Sequence, residues 1–280
     1  MAHEEQSVVE TTRDYYDSSD ADHFYFHVWG GEDIHVGIYL TPDEPIRDAS
    51  HRTVERMLDA LTLNAESRVL DIGSGYGGSA RVIAKRYACR VTALNLSPVQ
   101  NARARDMNAE QGLDGRIDVI DGSFEALPFA DASYDVVWCQ DSILHSARRR
   151  EVFQEVDRVL RPGGVFLFTD PMQQEGVDAG ILAPVLARIH LPSMGSVNKY
   201  QDYAKALGWQ TVNIERMPDA IVKHYGRVLA ELTARRAALA ERVSADYIDR
   251  MTTGLSHWVA AGEQGALDWG ILHFRKPVTT

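Results

Sequence analysis

The most constraining stretch of this chain runs Val69-Leu70-Asp71-Ile72-Gly73-Ser74-Gly75-Tyr76-Gly77-Gly78. It reads as a short apolar strand, a glycine turn, and a helix opening through Ser79-Ala80-Arg81-Val82-Ile83-Ala84-Lys85. Gly73, Gly75 and Gly78 fit a G-x-G-x-x-G pattern, which alone fits many nucleotide sites. Glycines let the turn take positive φ and let a ligand approach the backbone. Asp71 narrows the choice. A carboxylate two residues before the first glycine opposes a pyrophosphate, which seeks bare N–H groups at a helix N-terminus. It suits a ligand with an ammonium group and no phosphate, such as S-adenosylmethionine. The competing reading is a tight strand–helix turn without ligand.

Length admits one large domain, or one domain with a cap, in 280 residues. Two cysteines, Cys89 and Cys139, make neither a disulfide framework nor a zinc cluster, and no metal is expected. No apolar run is long enough to span a membrane. The first ten residues lack a signal-peptide core, so the expected location is cytoplasmic. A net charge of −11 disfavours nucleic acid and anionic membranes as partners. An acidic surface is also what a salt-tolerant protein carries, though many ordinary bacterial proteins are as acidic. The expected assembly is a monomer or weak homo-oligomer.

From Asp14 to Leu40 the chain is aromatic: Tyr15, Tyr16, Phe24, Tyr25, Phe26, Trp29 and Tyr39, interleaved with His23, His27 and His35. Glycines break it, so it is too irregular for one helix. It serves either as a lid over a cationic ligand or as a hydrophobic anchor. Residues 48–61 read as a helix with Val54, Met57, Leu58 and Leu61 on one face. Residues 90–95 form a second strand, and Ser97-Pro98 opens a helix as N-cap and N1. Asn95 ends that strand where such folds usually place an acid on the ribose. Asn can bond a diol as donor and acceptor, or it can merely shape the turn.

Further strands are expected at 117–121, 136–139, 165–169, 209–216 and 267–274, with Asp170-Pro171 closing the fifth. Helices are expected at 149–160, 177–189, 199–207, 219–243 and 245–261, with a loop at 190–198. Asp71, Asn95, Asp121 and Asp141 then all fall at carboxyl ends of strands, where an open α/β sheet binds its ligand.

The blocks V-L-D-I-G-S-G-Y-G-G, L-P-F-A-D-A-S-Y-D-V-V-W and R-V-L-R-P-G-G resemble class I S-adenosylmethionine-dependent methyltransferases. More narrowly, the chain resembles the sarcosine/dimethylglycine N-methyltransferases, which make glycine betaine. The residues that carry this are 24–35 (F-Y-F-H-V-W-G-G-E-D-I-H), 95–101 (N-L-S-P-V-Q-N), 138–146 (W-C-Q-D-S-I-L-H-S), Met194-Gly195-Ser196 and Lys223-His224-Tyr225. The Asp141…His145 pair also resembles that of phosphoethanolamine N-methyltransferases. Asn95 departs from the Asp or Glu of most class I enzymes.

The resemblance implies an α/β Rossmann-like sheet of seven strands, order 3-2-1-4-5-7-6, with the last strand antiparallel. It implies an N-terminal lid over residues 1–62 and a methyltransferase domain over 63–280. Substrate-cap insertions fall near 171–208 and 218–262. Asp71, Gly73 and Gly75 would hold the methionine part of S-adenosyl-L-methionine. Asn95, Leu96 and Gln100 would hold ribose and adenine. Ser123 and Phe124 would flank the adenine, and Gln140 would lie under the sulfonium. Tyr16 and Trp29 would close from the lid.

The implied reaction is an in-line displacement by an amine held in a near-attack pose. That amine, with a pKa of roughly 10, must lose a proton. His145 is the candidate base, with Asp141 attracting the ammonium and Tyr16 beside them; the alternative is a strand-end histidine bonded to backbone. Tyr16, Tyr25, Trp29 and Tyr225 can receive the growing cation through contacts worth ~0.5–2 kcal/mol each. Lys223, with His224 and Tyr225, and Lys199 and Arg188 are the pool for a substrate carboxylate. The expected partner is thus a small amine with a carboxylate, and the expected role is osmoprotectant synthesis. Two alternatives remain: a methyltransferase for another small amine, a natural product or a lipid, and a nonenzymatic S-adenosylmethionine-binding protein.

Overall fold

The computed structural model describes residues 10, 13, 14, 16–189 and 191–278; Tyr15 and His190 lie outside them. Seven strands form one sheet: β1 Arg68–Ile72, β2 Arg90–Asn95, β3 Ile117–Asp121, β4 Tyr134–Gln140, β5 Leu160–Gln173, β6 Gln210–Arg216 and β7 Leu267–Arg275. Their order is β3-β2-β1-β4-β5-β7-β6. The first five pair in parallel, and β7 runs antiparallel to β5 and β6. Order and reversal are as the sequence led us to expect. β1 is central, covered on both faces, and four of its five residues are buried.

The helices are α1 Ser19–Phe24, α2 Ile46–Leu58, α3 Gly78–Tyr87, α4 Pro98–Glu110, α5 Arg149–Val159, α6 Ala179–Ile189, α7 Val197–Ala206, α8 Pro218–Ala234, α9 Arg236–Leu239 and α10 Ala245–Glu263. A π-helical turn, Tyr25–Trp29, follows α1 directly. Ser97 caps α4 as read from the sequence, its hydroxyl accepting from Gln100 N–H at 3.2 Å. The single helix expected over 219–243 is instead α8 and the short α9, separated at Arg235.

β5 is longer than expected. Asp170-Pro171 does not end it, because Pro171 pairs with Trp269 of β7. Thr169 O accepts from Asp141 N–H on the β4 side. By alternation Pro171 faces that side too, past the last residue of β4, where its missing N–H costs no ladder bond.

Alternate residues of the strands feed two cores. Leu70, Ile72, Val137 and Phe166 lie in one, and Val69, Val91, Val136 and Leu167 in the other. A third core joins the N-terminal segment to the later helices. It holds Phe24, Tyr25, Val28 and Trp29 with Leu182, Val185, Tyr225, Met251, Leu255, Trp258 and Trp269. α10 packs against both α8 and α6, and α8 against β7. This third core stands beside the carboxyl end of β5 and holds the N-terminal segment over the carboxyl ends of the central strands.

Candidate functional site

A cleft of about 980 Å³, counting its open mouth, lies beyond the carboxyl ends of β1, β2 and β4. Asp71, Gly73, Gly75, Asn95, Leu96, Gln100, Ser123, Phe124 and Gln140 line it, and so do Tyr16, Asp141 and His145. Twelve residues singled out from the sequence therefore meet in one cleft.

The glycine turn forms its floor. Gly73 and Ser74 N–H both donate to Leu94 O, at 2.8 and 3.1 Å, pinning the turn to the end of β2. Gly73 has φ +70, and a Cβ there would fall 2.5 Å from Ser142. Only glycine admits both the backbone angle and that approach. Ser142 Oγ donates to Gly73 O at 3.0 Å, which couples the turn to the end of β4.

Asp71 is 3% exposed. Burial pushes its carboxyl up to about 7, the His35 charge opposing and Asp33 adding to the shift. A carboxylate so disfavoured gains most from a cationic ligand. Two donors of the cleft lining, Gln100 Nε2 and Gln140 Nε2, are buried and make no hydrogen bond, and His35 Nε2 has only the ion pair with Asp33 Oδ1 at 3.7 Å. Buried polar groups are usually hydrogen-bonded, and these two amides face a cleft that can hold a ligand. One acid, two open amide donors and the His35 imidazole fit a ligand carrying an ammonium, a carboxylate, a sugar and a base, so the residues present fit S-adenosylmethionine.

Neighbours set the direction of each amide. Gln140 Oε1 accepts from Trp138 Nε1 at 3.0 Å and from the Ser79 hydroxyl, which leaves its NH₂ for the cleft. Asn95 Nδ2 donates to Gln100 Oε1 at 2.9 Å, so Asn95 keeps its oxygen as acceptor. Asp121, expected in the same crevice, is exposed and bonds Asn101 Nδ2 and Arg105.

The second wall carries the candidate base. His145 ends a short 3-10 turn, Ile143–His145. Asp170 Oδ1 accepts from Leu144 N–H at 2.8 Å and Arg149 Nη2 donates to Leu144 O at 3.0 Å, which locks that turn. His145 opens to the cleft on one side and is enclosed on the other. That enclosure, with the charges of Arg188 and Arg149, drives its pKa down to about 4. The ring is therefore neutral at pH 7. Its Nε2 lies 3.0 Å from the Tyr16 hydroxyl. Asp141 is more committed than expected: Oδ2 accepts from Val36 N–H at 2.6 Å and Oδ1 from Trp269 Nε1 at 2.8 Å. It ties the N-terminal segment and β7 to the cleft wall.

Seven residues read as ligand contacts stand away from the cleft lining: Tyr25, Trp29, Arg188, Lys199, Lys223, His224 and Tyr225. Tyr25 and Trp29 are buried in the third core, with ring centroids 5.3 Å apart. Tyr225 stacks on Trp258 at 4.7 Å. His224 Nδ1 accepts from Gly37 N–H at 3.1 Å and from the Tyr39 hydroxyl at 3.0 Å, fastening the N-terminal segment to α8. Burial lowers its pKa to about 3. Lys223 is exposed, because Ile221, Tyr225 and Val228 take the inward face of α8. Lys199 Nζ donates to Met194 O at 3.3 Å.

Sequence reasoning passed over His35. It is 6% exposed, lines the cleft, and its charge is the leading one felt by both Asp71 and Asp141. Burial lowers its own pKa, but Asp33, 3.7 Å away, and Asp141 outweigh that and raise it. Nothing local marks it; only the folded juxtaposition with two aspartates does. Among the described residues no His/Cys/Asp/Glu group is placed to hold a metal, and no helix is long and apolar enough to cross a membrane.

A family model described as a methyltransferase domain matches residues 70–168. Sarcosine/dimethylglycine N-methyltransferase of Aphanothece halophytica is 55% identical, over 97% of this chain and 98% of that protein. The protein of the same name from Halorhodospira halochloris is 51% identical, over 97% and 98%. A solved structure from Galdieria sulphuraria, provisionally named a sarcosine dimethylglycine methyltransferase, has a TM-score of 0.89 at 44% identity. It is covered in full by 95% of this chain.

Proposed function

The chain belongs to the sarcosine/dimethylglycine N-methyltransferase family, and on that premise we propose how it uses its cleft. It transfers methyl groups from S-adenosyl-L-methionine to the amine of sarcosine and dimethylglycine, giving dimethylglycine and glycine betaine. The product is an osmoprotectant, which suits the acidic composition. The observation that carries the reading of the site is a neutral His145 within 3.0 Å of the Tyr16 hydroxyl, in the same cleft as Asp71.

When bound, S-adenosylmethionine supplies an electrophilic methyl group on a sulfonium. Asp71 takes the ligand's ammonium and His35 its carboxylate, an opposed pair suited to an amino-acid zwitterion. Asn95 Oδ1 and Gln100 Nε2 take ribose hydroxyls, Leu96, Ser123 and Phe124 border the adenine, and Gln140 offers its NH₂ toward the methionine end. Gly73 and Gly75 let the backbone approach.

His145, with the Tyr16 hydroxyl, would receive the amine proton and pass it on to solvent, because a ring of such low pKa does not keep it; the freed lone pair would form the new N–C bond as the methyl–sulfur bond breaks and S-adenosylhomocysteine leaves. The nitrogen of sarcosine or dimethylglycine keeps one lone pair after that loss; glycine betaine has none and stops the sequence. Asp141 positions Val36 and the cleft wall and adds negative field for the cationic product. The aromatic rings of Tyr25, Trp29 and Tyr225 back the N-terminal segment from behind. The segment ahead of α2 then acts as a lid, fastened through Tyr16–His145 and His224–Tyr39. The assembly we propose is a monomer or weak homo-oligomer in the cytoplasm.

The test is a methyl-transfer assay of His145→Ala and Tyr16→Phe on dimethylglycine, with S-adenosylhomocysteine affinity measured beside it. Loss of rate with affinity kept supports the roles. Equal rates in wild type and both variants would reduce the pair to a structural contact.

A further inference from the structure

We infer that Asp170, with the Tyr200 hydroxyl that Gly195 lets reach it, is the positioning unit that aims His145 into the cleft. The inference rests on the reading of His145 as the proton acceptor and deepens it.

Asp170 is an acid in an apolar face. It is 0% exposed and follows Phe166 and Phe168 at alternate positions of β5, with Met172 after it. Those three neighbours belong to one core. A carboxyl group in such surroundings is costly unless its oxygens are partnered. Here both are. Oδ1 accepts from Leu144 N–H at 2.8 Å, and the Tyr200 hydroxyl donates to Oδ2 at 2.5 Å. Leu144 is the residue before His145. Its carbonyl is held from the other side, where Arg149 Nη2 donates to Leu144 O at 3.0 Å and to Ser193 O at 2.8 Å. An acid on the N–H and a guanidinium on the C=O thus grip the residue that leads into the base. The 3-10 turn itself spans only Ile143–His145, too short to hold its own direction.

Tyr200, on α7, is fully buried. Its ring stacks on Phe153 with centroids 5.6 Å apart and meets Phe168 edge-on at 5.3 Å, so its hydroxyl has one direction. Along that direction Met194-Gly195-Ser196 passes beside the end of β5. Gly195 pairs with Met172, and Gln173 N–H donates to Gly195 O at 2.9 Å. Ser196 then caps α7, its hydroxyl accepting from Lys199 N–H at 3.3 Å. A Cβ on Gly195 would overlap the Tyr200 hydroxyl and Cζ and fall 2.8 Å from Cε2. Gly195 is not among the glycines of positive φ, so it is needed for space and not for backbone angle. Any side chain there pushes Tyr200 off Asp170. The Tyr16 hydroxyl lies 3.0 Å from His145 Nε2, and displacing a reacting group by about an ångström can cost about 10²-fold in rate.

Steady-state kinetics on dimethylglycine, with S-adenosylhomocysteine affinity by calorimetry, test the unit. The proteins are wild type, Tyr200→Phe, Gly195→Ala, Asp170→Leu, Asp170→Asn, His145→Ala and the double variant of Tyr200→Phe with His145→Ala. Tyr200→Phe and Gly195→Ala should each lower kcat about tenfold, with KM and S-adenosylhomocysteine affinity within about threefold of wild type. Asp170→Leu should lower kcat further, toward the level of His145→Ala. Burial pushes the Asp170 carboxyl up to about 8, so Asn, which has the shape of the neutral acid, should recover most of what Leu loses. In the double variant Tyr200→Phe should add nothing to His145→Ala, because its effect passes through that ring. A kcat unchanged in both Tyr200→Phe and Gly195→Ala overturns the inference. So does an equal loss from Tyr200→Phe with and without His145, or a loss of S-adenosylhomocysteine affinity that matches the loss of kcat. Should Asp170→Leu fail to fold, Tyr200→Phe, which keeps the ring, carries the test. His145→Ala alone separates the two claims. At the wild-type rate it removes the base and this inference with it; slow beside a fast Tyr200→Phe, it removes this inference only.

Discussion

Replacing Asp71 by Asn isolates the electrostatics of donor binding, and the magnitude follows from the site. With burial holding the carboxyl at about 7, ligand-free protein at neutral pH carries a half-protonated Asp71. S-adenosylhomocysteine brings an ammonium that favours the ionised form, so below pH 7 its binding must expel a proton. Affinity therefore falls as pH falls, about tenfold per unit. At pH 5 it lies about a hundredfold, or 2.7 kcal/mol, below that of the fully ionised site. Asp71→Asn cannot titrate and removes this slope. It also removes a charged hydrogen bond worth about 1.5–3 kcal/mol, a loss of about 10- to 150-fold near pH 7.5. Calorimetric titration of S-adenosylhomocysteine at half-unit steps from pH 5 to 7.5, on wild type and variant, measures both. A flat wild-type profile, or the same slope in Asp71→Asn, would refute the assignment of Asp71 to the ammonium.

The other expectations are quickly stated. His35→Ala should weaken S-adenosylmethionine at least tenfold yet leave decarboxylated S-adenosylmethionine, which lacks the carboxylate, unchanged; equal losses for both ligands would make His35 structural. Asn95→Asp should keep donor affinity, because Gln100 can turn its free NH₂ to the new carboxylate, whereas Asn95→Leu should lose about 1–3 kcal/mol by leaving hydroxyls unpaired. His145→Ala should cut methyl transfer about 10²–10⁴-fold while sparing donor affinity. Raising pH should partly restore it by supplying free amine, and a pH–rate profile parallel to wild type would argue against a base.

Much of the fold was legible because its strands are apolar runs with clear ends. Arg90 and Asn95 bound β2 just where polar residues bound the run, and Ser97-Pro98 announces α4. The donor side was legible for a related reason: strand, glycine turn and strand-end polar residues occupy fixed offsets in sequence. β5 was underread because a proline looks like a terminus until the neighbouring strand is known to have stopped. The later helices were the harder part. The spacing of Ile221, Tyr225, Val228 and Leu232 turns Lys223 outward, a phase that periodicity contains and composition hides. His35 could not be read at all, since it matters only for what other elements bring against it, Asp71 and Asp141.

The most direct test of the whole account is methyl transfer by the purified protein with glycine, sarcosine, dimethylglycine and phosphoethanolamine offered separately, following S-adenosylhomocysteine and the methylated amine together. The account predicts dimethylglycine and glycine betaine from sarcosine, and glycine betaine from dimethylglycine. One S-adenosylhomocysteine should form per methyl transferred. Turnover of phosphoethanolamine with none of sarcosine or dimethylglycine would contradict it.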